Sequence, residues 1–279
     1  MNRSTCWKRR NPAESSLPAG PRPLASEFGK GAILAGLLVG LTLAVSAGAG
    51  AKGGELVISI IAPNKTSVVA RQRLTGYLQR AGCEAEVVIG DEPAGAGLVY
   101  RPGIPPPGEV PQLVSVNRLG KLPQPAWISR RTAGVRSLSE LEGRDLAIIS
   151  GTDPVGRRLP LEALAEAGVV PARDQLYETG DYSSSLGLVL HNNTHAAASE
   201  AGFVDEMLEP NDLVVIWAGE PFTSGGWYRG TGWDLAGVLC EDALAAMKRS
   251  DDRQIFAVFP EWVHGFIRPE GLDSEEVSK

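Results

Sequence analysis

Residues 135–149, VRSLSELEGRDLAII, constrain the fold more than any other stretch of this chain. They read as a short helix, a glycine stop and a buried strand. Ser137 stands at a capping position with Glu140 three residues on, Leu138 and Leu141 supply one apolar side, and Gly143 ends the turn before the apolar run 146–149. A small polar loop follows, Ser150-Gly151-Thr152-Asp153-Pro154, and it feeds a second helical pattern, Leu159, Leu161, Leu164 and Ala165, that stops at Gly168.

The segment before this module opens in the same style. Residues 56–61 form a hydrophobic run, Pro63 and Asn64 end it, and a helix is expected from about Thr66 to Ala81, closed by Gly82. A second strand at 85–89 completes a β-α-β opening of the kind that begins an open α/β lobe. The pattern then weakens. Between Gly90 and Pro111 the chain is rich in glycine and proline, and only Leu98, Val99 and Tyr100 resemble a strand. Further strands are expected at 113–116 and 126–129. Apolar segments follow at 242–247, 254–259 and 262–267, and the acidic tail from Pro269 is expected to be loose.

The head of the chain reads as a targeting segment. Lys8, Arg9, Arg10, Arg22 and Lys30 precede 21 uncharged residues, 31–51, with leucines at their heart. Small residues at 47–51 offer two A-x-A cleavage sites, while a stretch of this length can also span a bilayer at about 1.5 Å per residue. Signal peptide and retained anchor both stay open, and either puts the body outside the inner membrane. Without residues 1–51 the chain carries 21 basic and 31 acidic side chains, a formal charge of −10. There is no basic block of the sort that tracks nucleic acid, so no nucleic-acid partner is expected. Cys6 lies in the head; Cys83 and Cys240 are expected as two isolated buried thiols, although an exported chain permits their pairing.

The motif Ser137-Leu138-x-x-Leu141-x-Gly143-Arg144 with its strand, the helix from Leu161 to Gly168, the strand and loop from Tyr177 to Ser185, the segment Phe203-Val204-Asp205 and the run from Asp212 through Trp217 to Pro221 carry a resemblance. In order and spacing they resemble the periplasmic substrate-binding proteins of ABC transporters of the phosphate, phosphite and phosphonate type. The resemblance implies an α/β, two-lobed type II periplasmic-binding-protein-like fold, each lobe an open mixed sheet flanked by helices, behind an N-terminal signal or anchor helix. Residues 52–128 with 219–279 would form a discontinuous, abbreviated first lobe and 129–218 the second. The implied function is extracytoplasmic solute binding: a small polar or anionic molecule, phosphonate- or phosphate-like, is captured between the lobes and presented to ABC permease subunits. The alternative is a membrane-anchored sensory or accessory module of the same fold, working with a membrane partner complex and without a transport role.

Backbone N–H groups and hydroxyls at helix N-termini suit such ligands, because those ends carry unpaired donors and about half a positive charge. Three loops qualify, which makes Asn64, Thr66 and Ser67, then Ser150, Gly151 and Thr152, then Tyr182, Ser183 and Ser184 candidate ligand contacts, with Thr223 after the strand that returns to the hinge. Each loop also reads as an ordinary cap worth roughly 1 kcal/mol. Asp153-Pro154 departs from the family's hydroxyl-rich run, and a carboxylate at that helix start would compete with a bound dianion. Trp227 and Tyr228 are expected to pack at the lobe junction, and Trp217 in the core. His191 and His195 are spaced i, i+4, but Asn192 and Asn193 end the helix between them, and neither a zinc-type His-Glu motif nor a G-x-S-x-G elbow is present. The expectation is a binding protein with no catalytic residue, no metal and no cofactor.

Overall fold

The computed structural model describes residues 56–62 and 68–269. Residues 1–55, with the expected targeting segment and Cys6, the candidate contacts Asn64, Thr66 and Ser67, and the tail beyond 269 lie outside the described residues. Lys52–Lys279 forms one compact unit built on two mixed sheets. The first has strand order β11-β4-β10-β3-β1-β2, from β1 (Leu56–Ile61), β2 (Ala85–Gly90), β3 (Leu98–Arg101), β4 (Leu113–Val116), β10 (Gly226–Arg229) and β11 (Gly265–Ile267). The second has order β7-β6-β8-β5-β9, from β5 (Pro125–Arg130), β6 (Leu146–Ile149), β7 (Leu176–Thr179), β8 (Ala196–Glu200) and β9 (Leu213–Ala218). Each sheet has a parallel core of three strands, β2-β1-β3 and β7-β6-β8, to which antiparallel strands are added.

The helices form where the apolar spacing asks for them. In α1 (Val68–Arg80) the buried residues are Ala70, Leu74 and Leu78, four apart on one stripe. Its end is a Schellman cap: Gly82 adopts φ 82°, Cys83 N–H donates to Leu78 O at 2.9 Å and Gly82 N–H to Gln79 O at 3.0 Å. The same pair of bonds closes α2 (Leu159–Glu166) at Gly168 and α3 (Tyr182–Leu190) at Asn192, the latter with φ 57°. Asn192 thus ends the helix before it reaches His195, so the two histidines share no helical face. The segment at 138–141 is a single 3-10 turn, too short to nucleate an α-helix. Its capping box is not made: Glu140 Oε2 accepts at 2.7 Å from Arg136 N–H, one residue before the cap, while Ser137 Oγ pairs with Ser139 Oγ instead of an amide.

Two features differ from expectation. Cys83 and Cys240 are joined by a disulfide between the end of α1 and α5 (Gly237–Ala246), because α1 and α5 pack side by side on one face of the first sheet, where Tyr77 OH also donates to Ala243 O at 2.8 Å. Trp217 is only half-buried, because β9 is an edge strand with no neighbour on one flank. Trp127, on the inner strand β5, is the tryptophan that fills that core, fully buried with Nε1 donating to Pro160 O at 2.9 Å. Trp227 packs edge-on with Tyr100, Phe259 and Phe266 in the first core, and Tyr228 is buried under the Arg101 guanidinium.

The chain passes between the sheets twice, at 117–124 and at 219–225, and these crossings are tied to one another. Gly219 N–H donates to Pro125 O at 2.9 Å, Gln124 Nε2 to Gly219 O at 2.7 Å, and Phe222 N–H to Pro123 O at 3.2 Å. Glu200, fully buried, fastens them to the second sheet by accepting from Asn117 Nδ2, Gln124 N–H and Phe203 N–H. Burial raises the Glu200 carboxyl above its ordinary value, against the pull of those donors. The folded chain therefore holds this proton more tightly than the unfolded one, and the contribution to stability is full at low pH and lost as pH rises through the raised value. In Glu200→Gln an NH2 group must face backbone or amide donors, at a cost of about 1–3 kcal/mol. Thermal melts of both chains should show the native advantage shrinking as pH rises from about 4; a constant difference would contradict the assignment.

Candidate functional site

Between the two sheets lies a cleft of two adjoining chambers, each about 190 Å³, which share Tyr100, Pro102, Asp153 and Pro260. The second sheet contributes the loops that leave the C-terminal ends of β6 and β7, the position where open parallel sheets present ligand sites. Ser150 lines one chamber and Thr152 the other, and Gly151 takes φ 81° at the turn between them. Tyr182 lies on the wall, and Ser183 and Ser184 form the first turn of α3. Thr223 is elsewhere: it lines a separate groove with Trp217 and Phe222 on the far side of the crossings, and its neighbour Ser224 is the one that reaches the cleft.

Asp153 organises the wall. Its Oδ1 accepts from Val155 N–H at 2.9 Å and Gly156 N–H at 2.7 Å, with Pro154 in the first position, so the turn 154–158 and α2 beyond it start from a carboxylate cap. The same oxygen accepts from Tyr182 OH at 2.8 Å, binding the two loops together. Burial pushes the Tyr182 hydroxyl well above its usual value, and the nearby Asp153 charge adds to this, so the phenol stays protonated as a donor. Gly156 is required here, since a Cβ would stand 2.2 Å from Ile149 Cγ1.

The opposite wall comes from the first sheet. Tyr100 is fully buried, its hydroxyl 3.3 Å from Ser115 Oγ and raised above its usual pKa by burial. The turn 256–263 brings Pro260, Glu261 and Trp262 to the cleft and is braced by Arg249, whose Nε donates to Val263 O at 2.6 Å and whose Nη2 donates to Pro260 O at 2.8 Å and Phe256 O at 3.2 Å. Burial holds the Arg249 guanidinium down to about 10. Lysine cannot reproduce that fork, so Arg249→Lys should cost about 1–3 kcal/mol and loosen the turn; amide exchange at 256–264 reads the second effect, and unchanged protection would argue against the brace.

Glu261 crosses the cleft. Ser183 N–H donates to its Oε2 at 2.7 Å and Ser183 Oγ to its Oε1 at 3.0 Å, while Ser184 N–H is taken by the α3 cap, Asp181, at 2.7 Å. Asp153, Asp181 and Glu261 all line the chambers, and no lysine, arginine or histidine does among the described residues. Among the described lining residues, charge complementarity toward an anion comes from backbone dipoles and hydroxyls. Lining residues that the sequence did not mark as contacts include Tyr100, Ser224, Pro260, Glu261 and Trp262. They lie far along the chain from the β6 and β7 loops, and nothing in their local pattern sets them apart from packing residues.

Residues 124–273 match the family described as "ABC transporter, phosphonate, periplasmic substrate-binding protein". Among curated protein sequences none matches the chain. Among solved structures, PhnD1 from Prochlorococcus marinus (MIT 9301) in complex with methylphosphonate aligns with a TM-score of 0.51 and 15% identity, over 80% of this chain and 96% of that one. A Xanthomonas citri protein bound to chloride ion gives 0.52 and 16% identity over 77% and 91%. A binding protein component of an ABC phosphonate transporter from Pseudomonas aeruginosa gives 0.50 and 12% over 79% and 84%. At these identities the likeness is one of fold.

Proposed function

Because the chain belongs to the periplasmic substrate-binding proteins of phosphonate ABC transporters, we propose that it captures a small polar or anionic molecule in the cleft between its two sheets and hands it to a permease. The two sheets are then the two lobes, and the tied crossings at 117–124 and 219–225 are the hinge. Its first-lobe segment ends near residue 117 rather than 128, since β5 already belongs to the second sheet at Pro125. Ser150, Thr152, Ser183 and Ser184 supply donors, Tyr182, whose hydroxyl is given to Asp153, is a wall contact, and Asn64, Thr66 and Ser67 are further contacts on this reading. Members of this family work outside the cytoplasm, which agrees with residues 1–51 acting as a cleaved signal or a retained anchor. No covalent chemistry is involved: affinity follows from cleft contacts and from the balance between open and closed lobes.

The observation that carries this reading is the convergence of the β6 and β7 loops, with their hydroxyls and helix-start amides, on Tyr100 and Glu261 across the cleft. The test is a thermal-shift panel on the full chain with phosphate, phosphite, phosphonates including methylphosphonate, sulfonates and amino acids. A solute at about 100 times its dissociation constant should add roughly 2.7 kcal/mol. A selective shift names the ligand class; a flat panel would turn the reading toward a sensory or accessory module of the same fold.

A further inference from the structure

The contact between Glu261 and Ser183 joins the two lobes through a carboxylate, and both carboxylate oxygens are used. Glu261 belongs to the first lobe, in the turn braced by Arg249, whereas Ser183 begins α3 of the second. The donors engaged are a main-chain amide and the hydroxyl of the same residue, the pair that a solute oxyanion would use at this helix start. The α3 start is thus divided between its own cap, Asp181, and an anion from the opposite wall. Glu261 is only half-buried, and its turn is held by three carbonyl contacts to Arg249 that do not involve the Glu261 side chain. The carboxylate can leave Ser183 without unmaking the turn.

We propose that Glu261 is a tethered anion that clasps the lobes and competes with the solute for Ser183, which makes it a determinant of which anions bind and how tightly. This rests on the reading of the cleft as the solute site. An anionic solute that uses the Ser183 donors must displace Glu261, so the clasp lowers its apparent affinity by the fraction of time that Ser183 is free. A solute that does not need those donors meets no such competition. Removing the carboxylate should tighten the first kind of solute, leave the second unaffected, and let the lobes separate.

The experiment uses the full chain in phosphate-free buffer, with Cys6→Ser and spin labels on Arg71→Cys of α1 and Arg173→Cys of the second lobe, both exposed positions. Label distances are compared for this background and for Glu261→Ala, with melting curves to verify that each chain is folded. The expected result is a longer or broader distance distribution in Glu261→Ala, drawn back by inorganic phosphate or by the phosphonate that shifts most in the panel. The dissociation constant for that anion should fall at least tenfold, with Glu261→Gln in between. Identical distance distributions overturn the proposal, and so does a lengthened distance with unchanged anion affinity. If neither chain binds any anion, the solute-binding reading is what fails, and the label distances still decide whether Glu261 holds the lobes together.

Discussion

Loss of the Cys83–Cys240 bond, by reduction or in a Cys83→Ala/Cys240→Ala chain, is expected to destabilise the protein by about 2–5 kcal/mol and to lower Tm by on the order of 10 °C. The bond closes a loop with a sequence separation of 157 that contains the whole second sheet. Loop-closure entropy for that length comes to about 5 kcal/mol, an upper figure because the reduced unfolded chain keeps some compactness. The cross-link also fixes α1 to α5, whose remaining polar tie is the Tyr77 hydroxyl on Ala243 O. Calorimetric scans with and without reductant measure the effect. A Tm unmoved by reductant would mean that residual structure in the unfolded chain already restrains it as much as the bond does, or that the thiols are not joined in solution.

Trp227→Ala should cost about 3–5 kcal/mol, the range for truncating a fully buried aromatic side chain. Trp227 sits on β10 between β3 and β4, and its ring meets Tyr100, Phe259 and Phe266 edge-on, with centroids 5.5–6.1 Å away. The cavity left behind would open beside Tyr100, a wall of the cleft, so the same variant should weaken any solute that contacts this wall. Trp227→Phe keeps an aromatic ring in this core. The indole N–H is buried and has no hydrogen-bond partner among the described residues, so phenylalanine removes an unsatisfied donor along with the lost volume and should cost clearly less than alanine. Denaturant melts of the two variants measure both numbers; equal losses would mean that a phenyl ring recovers none of the packing lost with the indole.

Much of the local structure was legible along the chain because local structure is set by local chemistry. The runs at 56–61 and 146–149 are strands because continuous apolar segments of that length suit a sheet covered on both sides; the run at 213–217 is a strand as well, but at the sheet edge and only partly buried. Gly82, Gly168 and Asn192 end their helices because each accepts the left-handed conformation that the Schellman cap needs. Asp153-Pro154 begins a helix for reasons contained in those two residues. The hydroxyl-bearing loops after β6 and β7 were equally visible, and so was their place at the strand ends of an α/β sheet.

What those loops face was not visible. Glu261 lies 78 residues beyond Ser183, in a turn whose pattern of apolar residues reads only as packing, and its carboxylate acquires meaning from the amide it meets across the cleft. Thr223 and Ser224 are neighbours in the chain, yet the crossing at 219–225 directs one into the cleft and the other into a separate groove. Trp217 and Trp127 read alike as strand tryptophans, and only strand order makes one an edge residue and the other core. The sequence by itself determined most of the strands (though not β8 or β10), the helix ends, the carboxylate cap at Asp153 and the family, since these depend on residues within a few positions of one another or on their order. The disulfide, the tied crossings around Glu200 and the Glu261–Ser183 contact were decided by tertiary structure alone, because each depends on groups that become neighbours only when two sheets are assembled from interleaved segments.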